Sequence, residues 1–252
     1  MNHISIGQAA RAMKLEEPQL HTILECCGIS TEAGWLEADD ITALEQYLEE
    51  RRDEALRQSQ SKLERLTERY TLMIDTCSLL HPQFSAFAAH LAPLLRQYGK
   101  ALIVPSGVVE ELKSLLERKP ELRDTVFAAV GTLRGLQNEG LIRIYGGPAE
   151  NFGDQQLLAA ATRFFTTCEL LVITQDNALS ADLMNLNRLG SVRGKGLGVS
   201  RINRYGYLSR YIPQEGRFAG SNSVTRSRPA MIPTVPLVEG GSELLPVTCI
   251  PG

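Results

Sequence analysis

Four acidic residues, Asp75, Glu111, Asp154 and Asp176, stand where an apolar, strand-like run ends or a helix-like segment begins. Asp75 follows Leu72-Met73-Ile74 and precedes Thr76-Cys77-Ser78, while Glu110 and Glu111 fall in the first turns after Leu102-Ile103-Val104-Pro105. Asp154 opens Asp154-Gln155-Gln156-Leu157-Leu158, and Asp176 comes two residues after Thr174 at the end of Leu170-Leu171-Val172-Ile173. In a parallel sheet all these junctions open on the carboxyl edge, where connecting loops diverge and ligands sit. Four carboxylates in one cleft repel unless a cation lies among them, and hard divalent ions with oxygen ligands, Mg²⁺ or Mn²⁺, match that donor chemistry. Each acid alone reads more simply as a helix cap, its carboxylate accepting from free backbone N–H groups. Their joint occurrence, in order along the chain, is what points to a site.

The elements that must position these acids alternate between strand and helix. Strands are expected at Leu72–Ile74, Ala101–Val104, Leu141–Tyr145, Leu170–Thr174 and Leu197–Ile202. Helices are expected at Phe84–Tyr98, Ser106–Arg118, Pro120–Glu139, Asp154–Thr167 and Ala178–Leu189. Such alternation implies an α/β fold, a mostly parallel sheet with helices on both faces.

Ahead of this region, residues 4–54 read as a small three-helix module with helices at Gln8–Leu15, Gln19–Cys26 and Glu37–Arg52. The sequence from Glu49 to Arg69 is densely charged with a sparse apolar stripe, the pattern of an exposed connecting helix. The expected division is therefore a helical module over 1–54, a charged linker helix over 55–69, an α/β domain over 70–212 and a flexible tail over 213–252, the last lacking sustained periodicity.

With 252 residues, 43% of them hydrophobic, the chain is long enough for a sizeable core, and its formal net charge of -3 exerts no global pull on nucleic acid. A nucleic-acid contact would need a local basic patch. One lies after the fourth acid, where Arg188, Arg193, Lys195, Arg201, Arg204 and Arg210 are interleaved with glycines and with Tyr205, Tyr207 and Tyr211. Arginines pair with phosphates and tyrosines stack on exposed bases, although a basic glycine-containing loop is also an ordinary solvated connector. Five cysteines without C-x-x-C spacing fit reduced thiols, and four histidines without ligand spacing argue against a soft-metal centre. No signal peptide or membrane span is recognisable, so a soluble, cytoplasmic protein is expected.

The order and setting of the four acids resemble the PIN domain, a family of metal-dependent nucleases, over about residues 70–180. Asp75 in Ile-Asp-Thr-Cys-Ser matches the family's first acid, Glu111 in Val-Val-Glu-Glu-Leu the second, Asp154 in Gly-Asp-Gln-Gln-Leu the third and Asp176 in Ile-Thr-Gln-Asp-Asn the last. Glu111 rather than Glu110 is chosen because it precedes Leu112 as in the family's Glu-Leu pair, and Thr174 suits the small hydroxyl residue placed before the last acid. Gln155 departs from the further acid that many members carry there. The resemblance implies a PIN-like fold and an endoribonuclease in which the four acids hold Mg²⁺ or Mn²⁺, with Glu110, Thr174 and Asn177 in support. It implies RNA as partner, with DNA as the other nucleic acid to test. Arg193, Lys195, Arg201, Arg204, Tyr205 and Tyr207 are the expected strand-binding residues. The first module resembles helix-turn-helix-like units of transcription regulators and the amino-terminal module of bacterial translation initiation factor two. It or the tail is the expected surface for a protein partner or dimer. The competing expectation is a non-catalytic nucleic-acid-binding or regulatory protein on the same scaffold.

Overall fold

A computed structural model of the chain describes residues 3–146, 154–188 and 196–211. Contacts divide the described residues into two compact units, one ending at Gln58 and the other beginning at Ser59.

The first unit begins with a two-residue strand, β1 (Ile4–Ser5), that pairs antiparallel with β2 (Trp35–Leu36). Between them lie α1 (Ile6–Ala12) and α2 (Glu17–Cys26). Ser5 Oγ accepts from the Gln8 amide at 3.2 Å while the Gln8 side chain accepts from the Ser5 amide at 3.1 Å, a reciprocal cap that fixes where α1 starts. Ile6, Ala9, Ala10, Leu20, Ile23, Leu24, Leu36 and Leu44 form the core of this unit. The next helix, α3, is continuous from Ala38 to Arg69, so the third helix and the charged helix expected after it are one element. Cys27, Cys77 and Cys168 carry free thiols.

In the second unit, six strands form a sheet in the order β5-β4-β3-β6-β7-β8. They are β3 (Thr71–Ile74), β4 (Leu102–Pro105), β5 (Ile142–Tyr145), β6 (Leu170–Ile173), β7 (Leu197–Ile202) and β8 (Leu208–Arg210). All neighbours pair in parallel except β7 with β8. The intervening helices are α4 (Thr76–Leu79), α5 (Phe84–Tyr98), α6 (Ser106–Arg118), α7 (Arg123–Asn138), α8 (Asp154–Thr167) and α9 (Asn177–Arg188). Leu72, Met73 and Ile74 of β3 and all four residues of β6 are buried, and since successive side chains point to opposite faces, both faces of the central strands are covered. Met73, Ile103, Leu170 and Val172 share one core cluster with Leu157, Ala161 and Phe165 of α8 and Leu179 and Leu183 of α9. The end of α3 is tied to the sheet. Lys100 Nζ donates to the carbonyls of Thr67 (2.8 Å), Tyr70 (3.2 Å) and Glu68, terminal acceptors that would otherwise lack partners. Arg69 forks onto the Glu169 carboxylate at 2.6 Å. Among the described residues, no helix is long and apolar enough to cross a membrane.

Candidate active site at the carboxyl edge of the sheet

Asp75 is the first residue beyond β3, and its amide still bonds the Ile173 carbonyl of β6 at 3.0 Å. Only 8% exposed, its carboxylate receives donors from three directions. Oδ1 accepts from the Thr76 amide at 2.7 Å, while Oδ2 accepts from Thr174 Oγ1 at 2.9 Å and from Cys77 Sγ at 2.6 Å. The capping reading and the site reading of Asp75 therefore coexist: the Thr76 amide opens α4, and the other oxygen faces side chains brought from β6 and α4. Thr174 is fully buried and works in both directions, donating to Asp75 and accepting from the Asp176 amide at 3.1 Å.

The second acid joins through Thr76, whose Oγ1 donates to Glu111 Oε2 at 2.6 Å. Neighbouring Glu110 turns instead to Lys113, Nζ to Oε1 2.6 Å, a pair one helical turn apart. Asp176 caps α9, its Oδ1 accepting from the Leu179 amide at 2.9 Å. One network thus runs from Glu111 through Thr76 and Asp75 to Thr174 and the Asp176 backbone. Asp154 is the first residue of α8, and its side chain lies outside the described residues. Among the described residues, no three His, Cys, Asp or Glu side chains are gathered as a ready metal cage.

Lone-pair arithmetic is the relevant fit test for a cation. A carboxylate offers about four acceptor positions. Asp75 has three donors on it, leaving one position beside the Thr76 contact on Oδ1. Glu111 and Asp176 each show one donor on one oxygen, so the donor set has hard-oxygen capacity to spare.

Cys77, Thr76 and Gln175 are participants that sequence reasoning missed. Burial first, then the negative charge and hydrogen bond of Asp75, push the Cys77 thiol up to about 12. The Gln175 amide donates to Cys77 Sγ at 3.2 Å, and Gln175 Nε2 reaches the Ile202 carbonyl at 3.1 Å, tying the loop after β6 to the end of β7. The signal for Thr76 and Cys77 was the run of small polar residues after Asp75, which marks a polar strand end without saying what each residue touches.

None of the known family models, curated proteins or solved structures matches this chain.

The basic segment divides by residue. Arg193 and Lys195 lie outside the described residues. Arg201 on β7 donates through Nη2 to Asn177 Oδ1, immediately after Asp176, and its guanidinium lies over the Tyr211 ring at 5.0 Å. Arg204 lies over Tyr205 at 4.8 Å, both half-buried in the β7–β8 connection. Tyr207 departs from the expected role. It is 8% exposed and its ring stacks on His90 of α5, centroids 4.2 Å apart and planes 8° apart. A ring face already occupied by an imidazole is not offered to a base. The hairpin is held by Asn203, whose Oδ1 accepts from the Tyr205 and Tyr207 amides at 3.0 Å each, and by Gly206, whose carbonyl lies 3.0 Å from His90 Nδ1. Gly206 has φ +71°, and a Cβ there would lie 2.8 Å from Ala86 Cβ.

An apolar cavity of 360 Å³ lies among α6, α7, β4 and β5, lined by Val104, Leu112, Leu116, Phe127, Val130 and Ile144 among others. None of the four acids lines it, so it is no part of the carboxylate chemistry.

Proposed function

We propose that the second unit is a PIN-like, metal-dependent endoribonuclease, with the first unit as a helical module that selects a partner or substrate. The observation that carries this reading is the continuous network joining Glu111, Asp75 and the Asp176 backbone at the carboxyl ends of parallel strands. Asp75, Glu111 and Asp176, with Asp154 from the start of α8, would hold Mg²⁺ or Mn²⁺. Such an ion supplies positive charge to a scissile phosphate oxygen and lowers the pKa of a bound water. The chain's own residues do the rest. Thr76 and Thr174 fix the first two acids, and burial of Asp75 keeps competing water away from it. Arg201, anchored beside Asp176 through Asn177, and Arg204 with Tyr205 offer charge and a ring to an incoming strand.

The test is incubation of the purified chain with single-stranded and structured RNA and DNA in Mg²⁺, Mn²⁺ or EDTA. Internal cleavage of RNA that requires the divalent ion and disappears in Asp75→Asn is the expected result. Binding of nucleic acid with no cleavage under any metal would favour the non-catalytic alternative.

A further inference from the structure

The geometry around Asp75 assigns Cys77 a task beyond packing. We propose that Cys77 is a positioning residue, its S–H and the Thr174 hydroxyl together holding Asp75 Oδ2 so that the spare acceptor position of Oδ1 stays open to a cation. This rests on the reading of Asp75 as a metal ligand.

Three features of the contacts carry the inference. Cys77 Sγ touches both partners of the central hydrogen bond, 2.6 Å from Asp75 Oδ2 and 3.3 Å from Thr174 Oγ1. The sulfur also accepts from the Gln175 amide at 3.2 Å, so it bridges the turn after β3 and the turn after β6, elements almost one hundred residues apart in sequence. And Oδ2 holds two donors while the Thr76 amide takes Oδ1, so rotation of the carboxylate would disturb all three bonds at once. Removing the sulfur leaves Thr174 as the sole holder of Oδ2 and strips the Gln175 amide of its acceptor. Partners of this kind, which orient a ligand without touching the metal, commonly change metal affinity by about tenfold or more.

The test uses the full chain with Cys77→Ser, which keeps a donor, and Cys77→Ala and Cys77→Val, which remove it in two sizes. Mn²⁺ alone is the probe, its affinity read by titration calorimetry. Expected is weakening of about tenfold for Ala and Val, with Ser restoring affinity to near wild type and metal-free melting showing all three folded. Should Ala prove unfolded, Val against Ser decides the same question. Wild-type affinity in the donor-less variants, or a Ser variant as weak as Ala, overturns the proposal and makes the sulfur a packing atom. Asp75→Asn separates the two levels. If it binds Mn²⁺ as the wild type does, the ligand reading itself fails and the role of Cys77 falls with it; if it loses Mn²⁺, the Cys77 variants are judged on their own.

Discussion

The carboxyl edge at β3 and β6 and the tip of the β7–β8 hairpin are both rich in polar side chains, but they satisfy them over different distances in the chain. At the edge, Thr174 reaches Asp75 across 99 positions and Thr76 reaches Glu111 across 35. At the hairpin, Asn203 finds its donors two and four residues away. Local bonds of the second kind are turn chemistry and form wherever the chain reverses. Long-range bonds onto a buried carboxylate exist only because the fold imposes them, and a buried charge held that way carries a desolvation cost that apolar packing would avoid. The difference separates a turn whose amides are satisfied locally, with His90 of α5 docked against it, from a buried carboxylate whose side-chain donors include one from the end of the neighbouring strand β6.

The sharpest way to break the comparison is Asp75→Asn. Under the proposed function it lowers divalent-dependent cleavage by at least about 100-fold, on the scale of removing one preorganised electrostatic group. The variant should stay folded but melt no higher than the wild type, because the Asn amide nitrogen must face a donor that the carboxylate now accepts. Cleavage rates and melting curves measured on one preparation decide it; full activity would reduce Asp75 to a cap.

At the hairpin the expectation is reversed, with stability lost and chemistry kept. Gly206→Ala combines a left-handed backbone position with a Cβ 2.8 Å from Ala86 Cβ and 2.9 Å from the Phe87 amide. Its cost is about 3 kcal/mol, read by urea denaturation. Tyr207→Ala, which unstacks His90 and opens a void, should cost a similar amount, again about 3 kcal/mol, with cleavage by the folded fraction unchanged. A Tyr207→Ala protein of unaltered stability that bound single strands poorly would return that ring to nucleic-acid contact.

Within the edge itself, adjacent glutamates should behave differently. Glu111→Gln removes an acid in the network and is expected to weaken cleavage by at least about tenfold, while Glu110→Gln loses only a surface pair with Lys113 worth under about 1 kcal/mol. Parallel rate measurements on the two variants check this, and equal losses would mean that the two side chains exchange roles.

How far the molecule was legible follows the same division. β4 and β6 are buried along their whole length and β3 from Leu72 onward, and continuous apolar runs bounded by polar residues announced them. Asp75, Thr174 and Asp176 were legible as strand-end residues for the same reason. Between Glu110 and Glu111 the residue pattern alone was silent, because one helical step rotates a side chain by about 100° and only the position of Thr76 shows which one faces inward. Cys77 was unreadable, since its partner Gln175 lies 98 positions away. The strands β1, β2 and β8 have two or three residues each, too few to carry a period. The docking of Tyr207 on His90 was not legible, because glycine, arginine and tyrosine make up a docked hairpin as readily as a strand-binding loop.

The smallest expected effect concerns the two arginines that flank the hairpin. Arg201 meets Asn177 and the Tyr211 ring, and Arg204 lies over the ring of neighbouring Tyr205. If Arg204 meets phosphate, Arg204→Gln should make the dependence of log affinity on log salt shallower by about 0.7, the increment for one contact to a single strand. Arg201→Gln should lower the salt slope by no more than that and also lower melting, because it frees Asn177 at the start of α9. The measurement is binding of a non-cleavable oligonucleotide in Ca²⁺ at several salt concentrations, beside thermal melting of each variant. If Arg204→Gln leaves the slope where it was, Arg204 makes no phosphate contact, and the strand must be held by residues nearer the acids.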